Sequence, residues 1–229
     1  RLFHLKDRFT FFKNLINKEN FPKVILLSGS KGLGKSTLLN HLLHYYFNSK
    51  NYDLNNNYIL KKDEFYKSFI ENSFPNILYF QSEESRNLKI DDIRNLKNIL
   101  SKTSINNDKR FIILDDVETF NLNSLNALLK ILEVHNKNNY FFLIDNKSKP
   151  ILETIKSRCI EFKFFVNNEE LTNITELLLD YFKQEQVFKN NIVNVTPGNF
   201  LKFNYLFKIN NINLNENFMK NLNILLNIC

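Results

Sequence analysis

Apolar residues along the chain form short continuous runs and longer segments with helical spacing. The short runs predict buried strands at residues 24–27, 77–80, 111–114, 140–144 and 160–166. Apolar side chains that recur every three or four residues predict helices at 38–46, 63–70, 90–102, 122–134, 151–156, 169–183, 200–207 and 214–226. The polar, Asn-rich stretch 50–75 is expected to be irregular around its one short helix. Strands alternating with helices predict an α/β fold, a parallel sheet flanked by helices, followed by a small all-helical region.

Three of the four glycines lie within six residues of one another. The segment is Gly29-Ser30-Lys31-Gly32-Leu33-Gly34-Lys35-Ser36-Thr37, which matches the phosphate-binding loop G-x-x-x-x-G-K-[ST]. A predicted strand precedes it and a helix follows, so backbone N–H groups and a helix N-terminus would face the phosphates. The loop predicts binding of ATP or ADP with Mg²⁺, with Lys35 on the phosphates and Ser36 on the ion. A loop that holds nucleotide without hydrolysing it remains an alternative.

Two acids, Asp115 and Asp116, end the predicted strand 111–114. Asp115 is expected to hold Mg²⁺ together with Ser36. Asp116 stands where ATPases that activate water usually carry Glu, and it is shorter by one methylene. Misplacing a catalytic group by about 1 Å costs roughly 10²-fold in rate. The sequence therefore supports nucleotide binding better than it supports ATP hydrolysis. A strand end followed by a helix N-cap is the other reading of this pair.

Composition and charge narrow the choice of function classes. There are 31 Lys and Arg against 24 Asp and Glu, a net charge of +7, which permits contact with nucleic-acid phosphates and equally suits a solubilising surface. The only cysteines, Cys159 and Cys229, exclude a four-cysteine zinc site, and no apolar run approaches the roughly 20 residues of a membrane span. A reducing, cytoplasmic compartment is expected, with no membrane partner.

Three segments in this order resemble the clamp-loader branch of the AAA+ ATPases. They are the glycine loop, the helix segment 126–133 (NALLKILE) and the segment 154–159 (TIKSRC). The resemblance covers about residues 10–166 well and the remainder weakly. It implies an AAA+ P-loop nucleotide-binding domain over residues 1–166 and a helical lid domain over 167–229. The last helix of the lid is expected to be either part of that domain or the start of a truncated collar domain.

The resemblance also implies roles and partners. Arg158 would be an arginine finger, supplied in trans to ATP on a neighbouring subunit, and Asn146 would be the sensor that orients water. The catalytic candidates are therefore Arg158, Asp116 and Asn146, and no zinc site is implied. The expected partners are other clamp-loader subunits in a hetero-oligomeric ring, the sliding clamp, and primer–template DNA contacted through its phosphates.

Departures from the family pattern weaken hydrolysis more than binding. Thr196-Pro197-Gly198 is followed by Asn199 where the family carries a second sensor arginine. Together with Asp116 in place of Glu, this favours a subunit that hydrolyses ATP poorly, shapes the ring and supplies Arg158. The alternatives are an autonomous AAA+ motor acting on DNA, a small-molecule kinase, and a scaffold whose loop is vestigial.

Overall fold

The computed structural model describes residues 1–18, 21–61, 63–81, 90–101, 108–134, 138–187, 195–210 and 212. The chain divides into two compact units. The first contains residues 1–30 and 35–164, and the second contains residues 31–34 and the described residues from 165 onward. The helix predicted at 214–226 lies outside the described residues.

The helices and strands follow one another much as the apolar pattern predicts. In the first unit they are α1 (Lys6–Ile16), β1 (Val24–Ser28), α2 (Lys35–Phe47), β2 (Tyr52–Asp53), β3 (Tyr58–Ile59), α3 (Glu64–Ile70), β4 (Ile77–Gln81), α4 (Ile90–Leu100), β5 (Arg110–Asp115), α5 (Leu122–Glu133), β6 (Asn139–Asp145), α6 (Glu153–Lys156) and β7 (Ile160–Lys163). The second unit contains α7 (Asn168–Phe182) and α8 (Pro197–Ile209).

Five strands form one parallel sheet in the order β4-β5-β6-β1-β7. Every residue of β1, β5 and β6 is buried. Strands buried on both faces are typical of parallel sheets covered by helices, because the connections between parallel strands cross over the faces. The predicted fold class is therefore confirmed. The order brings the carboxyl ends of β5, β6 and β1 side by side, where ligands of such sheets bind.

One face of the sheet packs against α4 and α5. Alternate residues of the strands point to this face, and the two helices cover them with leucine and isoleucine side chains. The buried cluster includes Leu26, Ile112, Leu114 and Leu143 from the strands and Ile93, Leu96, Leu128 and Leu132 from the helices.

The opposite face is filled by aromatic rings. Phe111 of β5 contacts Tyr46 and Phe47 of α2 edge-on, with ring centroids 5.3 and 5.8 Å apart. It also contacts Tyr140 of β6 at 5.8 Å. Rings in such tilted and edge-to-face arrangements gain roughly 0.5–1.5 kcal/mol per pair beyond their burial. They fix α2, and with it the start of that helix, against the sheet.

The described elements differ from the sequence prediction in four places. Helix α1 was not predicted. The stretch 50–75 contains a hairpin, β2–β3, and strands of two residues are too short to give an alternating pattern. Strand β7 ends at Lys163 instead of residue 166. Helix α8 begins at Pro197 instead of Phe200, because proline suits the first helical turn, where its missing N–H needs no partner.

Helix α3 was predicted within the insertion, and Asp63 explains where it begins. The Asp63 carboxylate accepts hydrogen bonds from the backbone N–H of Tyr66 and from Nδ2 of Asn51, both at 2.7 Å. Asn48 also donates to it. These bonds cap the helix and favour the ionised carboxylate, so the pKa of Asp63 lies below its usual range although partial burial opposes the shift.

The second unit is built around a fully buried asparagine. Asn204 of α8 accepts a hydrogen bond from the Val187 backbone N–H at 2.8 Å and donates to the Glu185 carbonyl at 2.9 Å. Leu179 and Phe200 pack beside each other in the same unit. Because a buried amide needs such partners, Asn204 ties the chain after α7 to α8.

His41 of α2 is buried, and its Nδ1 lies 2.8 Å from the Tyr52 hydroxyl. Burial is the main cause that lowers the pKa of His41 from its ordinary value to about 3. Burial also lowers the pKa of the neighbouring His44, whose Nδ1 pairs with the Asn40 carbonyl at 2.8 Å. Both histidines therefore serve the core as neutral rings.

Acid should destabilise the fold through His41. Its folded-state pKa lies below 6.5, so its contribution is fully present above pH 6.5 and is lost as the pH falls toward 3. The free energy of unfolding should fall by about 2 kcal/mol between pH 6.5 and 5 from this group. Urea unfolding at both pH values measures the loss. His41→Gln should reduce it, His4→Gln at an exposed position should not, and an equal loss in the protein and in His41→Gln would refute the assignment.

Candidate nucleotide site and arginine segment

The glycine loop leaves β1 where β6 also ends. The Gly29 N–H donates to the Asp145 carbonyl at 3.1 Å, and a Cβ on Gly29 would lie 2.3 Å from the Phe164 carbonyl oxygen. Only glycine fits at this position. Gly32 and Gly34 have φ values of 90° and 84°, a region that L side chains rarely adopt. Helix α2 then begins at Lys35, so its first N–H groups lie next to the loop.

The loop residues 31–34 also contact the start of α8 within the second unit. Thr196 Oγ1 donates to the Lys31 carbonyl at 2.5 Å, and Asn199 Nδ2 donates to the same oxygen at 3.3 Å. The Gly198 N–H donates to the Gly32 carbonyl at 3.0 Å. Asn199, for which the family resemblance implied the loss of a second sensor arginine, binds the loop backbone in the structure.

Lys35 is buried, and its ammonium group donates to two loop carbonyls. The distances from Nζ are 2.6 Å to the Gly29 oxygen and 2.9 Å to the Ser30 oxygen. Burial is the main cause that lowers the pKa of Lys35 to about 8, and nearby carboxylates, Asp115 first among them, oppose the shift. A weakly hydrated cation at a helix N-terminus is well suited to binding phosphate oxygens.

Asp115, at the carboxyl end of β5, is the centre of a hydrogen-bond cluster. Its Oδ2 accepts from the Tyr79 hydroxyl at 2.5 Å and from Ser36 Oγ at 3.2 Å. Its Oδ1 accepts from the Asp116 N–H at 2.9 Å and from Asn146 Nδ2 at 3.3 Å. The structure thus brings together four of the predicted site residues, namely Ser36, Asp115, Asp116 and Asn146.

Asp116 is held in a left-handed backbone conformation, with a φ of 56°. Asn146 Nδ2 donates to its Oδ1 at 2.6 Å. The backbone carbonyl of Asp116 accepts from the N–H and the hydroxyl of Thr119, at 2.9 and 2.7 Å, in the short 3₁₀ turn that follows β5. Asp116 and Asn146 therefore fix each other's side chains beside Asp115.

Sequence reasoning missed two residues: Tyr79, which belongs to this cluster, and Glu118, whose charge acts on Lys35. Tyr79 lies within the apolar run that predicts β4, and such a run does not show which side chain pairs with a polar group. A tyrosine hydroxyl that is shielded from water normally needs a hydrogen-bond partner. Glu118 is buried, and its Oε1 accepts from Ser148 Oγ at 2.8 Å. Its Oε2 has no hydrogen-bond partner among the described residues. Glu118 belongs to none of the sequence motifs used above, so the sequence did not identify it as a site residue.

The oxygen atoms beside the loop suit a magnesium ion. Mg²⁺ prefers oxygen ligands and commonly takes one or two from the protein and the rest from phosphates and water. Ser36 Oγ and Asp115 Oδ2, 3.2 Å apart, offer such a pair next to the start of α2. No group of three or more His, Cys, Asp or Glu side chains within the described ranges forms a separate metal centre.

Arg158 lies at the amino ends of the strands, whereas the Asp115 cluster lies at their carboxyl ends. Arg158 comes two residues before the start of β7, Asp115 is the last residue of β5, and the strands of this sheet run parallel. The structure therefore does not bring Arg158 to the Asp115 cluster. Its Nη1 donates to the Thr154 carbonyl at 2.9 Å, and Nε and Nη2 donate to Glu133 Oε1 at 3.2 and 2.5 Å.

The surroundings of Arg158 are open. The guanidinium and Glu133 are both partly exposed and border a surface pocket of about 400 Å³. The next residue, Cys159, donates its thiol to the Ile155 carbonyl at 3.1 Å, and burial raises the pKa of this thiol to about 12. A thiol that stays protonated is structural and not nucleophilic, so Cys159 helps to shape the turn that presents Arg158.

The chain matches known proteins over most of the first unit. The sequence profile of the family described as "DNA polymerase III, delta subunit" matches residues 5–168. The chain is 26% identical to the DNA polymerase III subunit delta′ of Buchnera aphidicola from Acyrthosiphon pisum, over 76% of this chain and 50% of that protein. It is 31% identical to the delta′ subunit of Pseudomonas aeruginosa over 38% of this chain and 27% of that protein.

More distant similarity extends to other proteins. The chain is 25% identical to the replication factor C small subunit of Saccharolobus solfataricus, over 83% of this chain and 52% of that protein. It spans between about a quarter and a half of the curated relatives named here. None of its described helices is both long and apolar enough to cross a bilayer.

Solved structures share the fold at low sequence identity. A DNA polymerase III gamma subunit-related protein from Thermotoga maritima superposes with a TM-score of 0.52 at 22% identity, covering 77% of this chain and 53% of that one. A RuvB variant from the same organism gives 0.51 at 15%, covering 88% and 59%. The resemblance to the AAA+ clamp-loader branch, and within it to delta′ subunits, is therefore confirmed, and this chain belongs to the DNA polymerase III delta subunit family.

Proposed function

We propose that the chain is a delta′-type subunit of the DNA polymerase III clamp loader. In this role it completes the active site of a neighbouring ATPase subunit with Arg158. It works within a hetero-oligomeric ring that places the sliding clamp on primer–template DNA, and its own DNA contacts are to phosphates. The ring acts in the cytoplasm. Residues 1–166 serve as the AAA+ domain and residues 167–229 as the lid.

The position of Arg158 is the observation that carries this proposal. Arg158 lies at the amino ends of the strands, and Lys35 and Asp115 lie at the carboxyl ends. Arg158 therefore cannot act on a nucleotide held by its own loop. Its partner Glu133 is a partly exposed carboxylate, and such ion pairs contribute only about 0–1 kcal/mol. A neighbour's phosphate can displace Glu133, because a guanidinium binds phosphate oxygens in a bidentate, charge-assisted manner.

The glycine loop supports a second, subordinate role as a nucleotide holder. Lys35, Ser36 and Asp115 would bind ATP or ADP with Mg²⁺, while the backbone of residues 29–37 would contact the phosphates. Asp116 lies beside Asp115 but is short and is held by Asn146, which leaves hydrolysis by this subunit weak. The nucleotide therefore stabilises the subunit more than it drives the cycle.

Assembly tests the proposed membership of a ring. Mixed with the loader ATPase and the remaining loader subunits from the same genome, the full chain should elute with them as one complex in gel filtration. The Lys35→Ala variant should enter the same complex, because the proposed role assigns Lys35 to the nucleotide of its own loop and not to contacts with other subunits. If the chain elutes alone while the other subunits assemble, the proposal of a clamp-loader subunit is wrong.

A further inference from the structure

Tyr79 contacts Asp115, although it was not among the predicted site residues. Tyr79 of β4 pairs with Ile113 of the neighbouring β5, and two residues further along Gln81 pairs with Asp115. Since side chains alternate along a strand, the ring of Tyr79 stands on the same face of the sheet as Asp115. The hydroxyl reaches Asp115 Oδ2 at 2.5 Å, the shortest of the contacts made to this carboxylate.

The Asp115 carboxylate is saturated with hydrogen-bond donors. An ionised carboxylate has about four acceptor positions. Among the described residues four donors reach it: the Tyr79 hydroxyl, Ser36 Oγ, the Asp116 N–H and Asn146 Nδ2. The backbone N–H is fixed by the turn after β5, and Ser36 is itself an expected ligand of the ion. Two donors therefore reach Oδ2, and of these Tyr79 is the one that is not expected to bind the ion itself.

We propose that Tyr79 is a positioning residue that competes with a divalent cation for Oδ2 of Asp115 and so weakens magnesium binding at this site. This inference rests on the proposed nucleotide-holding role of the loop and deepens it. Because the Tyr79 hydroxyl donates to Oδ2 at 2.5 Å, a cation or a water bound to it meets this oxygen with one of its acceptor positions already occupied. The hydroxyl also lowers the electron density that Oδ2 offers to a cation. Both effects lower the affinity of the site for a cation, and both disappear when the hydroxyl is removed.

The opposite effect is the physical alternative. A hydrogen-bond partner of a metal ligand often orients that ligand and increases its affinity for the ion. In that case removing the hydroxyl would weaken ion binding. The two cases differ in the sign of one measurement, so Tyr79→Phe, which keeps the ring and removes only the hydroxyl, decides between them.

The experiment uses Mn²⁺ as the probe and the free Mn²⁺ signal in electron paramagnetic resonance as the readout. In the full chain without nucleotide, Tyr79→Phe should bind Mn²⁺ about tenfold more tightly than the unaltered protein, the factor expected when a charged hydrogen bond no longer competes. Adding Asp115→Asn to Tyr79→Phe should abolish the gain. Tyr205→Phe, at an exposed tyrosine of α8, is the matched control and should leave Mn²⁺ affinity unchanged.

A second arm separates this inference from the proposed function. Binding of a fluorescent ADP is measured with Mg²⁺ and with a chelator, and Mg²⁺ should improve the affinity of Tyr79→Phe about tenfold more than that of the unaltered protein. If no variant binds ADP, the nucleotide-holding role fails, but the Mn²⁺ arm still decides the role of Tyr79. Equal or weaker Mn²⁺ binding by folded Tyr79→Phe overturns the inference even where ADP binds normally.

Discussion

Replacing Arg158 by alanine is expected to reduce the DNA- and clamp-stimulated ATPase rate of a reconstituted loader by roughly 10³-fold or more, the range known for arginines supplied to a transferring phosphate. The guanidinium is already fixed in direction by the Thr154 carbonyl, at 2.9 Å from Nη1, and by Glu133. A neighbour's phosphate would replace Glu133 as its partner. The positive charge then faces the charge that develops on the transferring phosphate, where preorganised donors have their largest effect.

The control for this variant is a nearby lysine. Lys156 lies two residues before Arg158 and pairs with Glu153 at 2.6 Å on the exposed side of α6. Lys156→Ala removes one positive charge from the same surface, so a general electrostatic effect on assembly or DNA binding would appear in both variants. Only Arg158→Ala should lose turnover. An equal loss in both variants, or none in either, would contradict the role of Arg158.

Replacing Lys35 by alanine should weaken binding of ADP or ATP to the isolated chain by roughly 10²-fold, because truncating one partner of a buried charge pair costs about 2–5 kcal/mol. Lys35 is buried at the start of α2 with its ammonium on the carbonyls of Gly29 and Ser30. Phosphate oxygens would take the place of these carbonyls as acceptors. Titration calorimetry with ADP measures the loss directly.

The pH dependence of binding gives an independent check on Lys35. With its pKa lowered to about 8, the ammonium is charged below pH 8 and loses its proton as the pH rises above that value. Nucleotide affinity should therefore be constant below pH 8 and fall above it. Lys35→Arg keeps its charge across this range and should show a flatter profile. A profile in the unaltered protein that does not fall between pH 8 and 9.5 would contradict the assignment.

Those parts of the fold and site that follow from local spacing were predictable. The buried run before Gly29, the glycine loop and the acids after Leu114 lie in continuous segments, so the sequence places them at one edge of a parallel sheet. Ser36 and Asp115 were expected near one another for this reason, and Asn146 was expected beside them only from the family resemblance; the three meet in the structure.

Contacts that join distant segments were out of reach of the sequence pattern. Tyr79 and Asp115 meet through strand pairing, which no periodicity within β4 reveals. Glu133 reaches Arg158 across 25 residues of sequence. Asn204 is fully buried, whereas the many asparagines of this chain look like compositional bias, because a buried and an exposed asparagine differ only in their three-dimensional neighbours.

The most direct test of the central claim compares Arg158→Ala and Lys35→Ala in the same reconstituted loader, with clamp and primed DNA present. If this chain completes a neighbour's active site and its own loop is secondary, Arg158→Ala loses most of the ATPase turnover and Lys35→Ala loses little. If Lys35→Ala abolishes turnover while Arg158→Ala leaves it intact, the chain is itself a motor and the account is wrong.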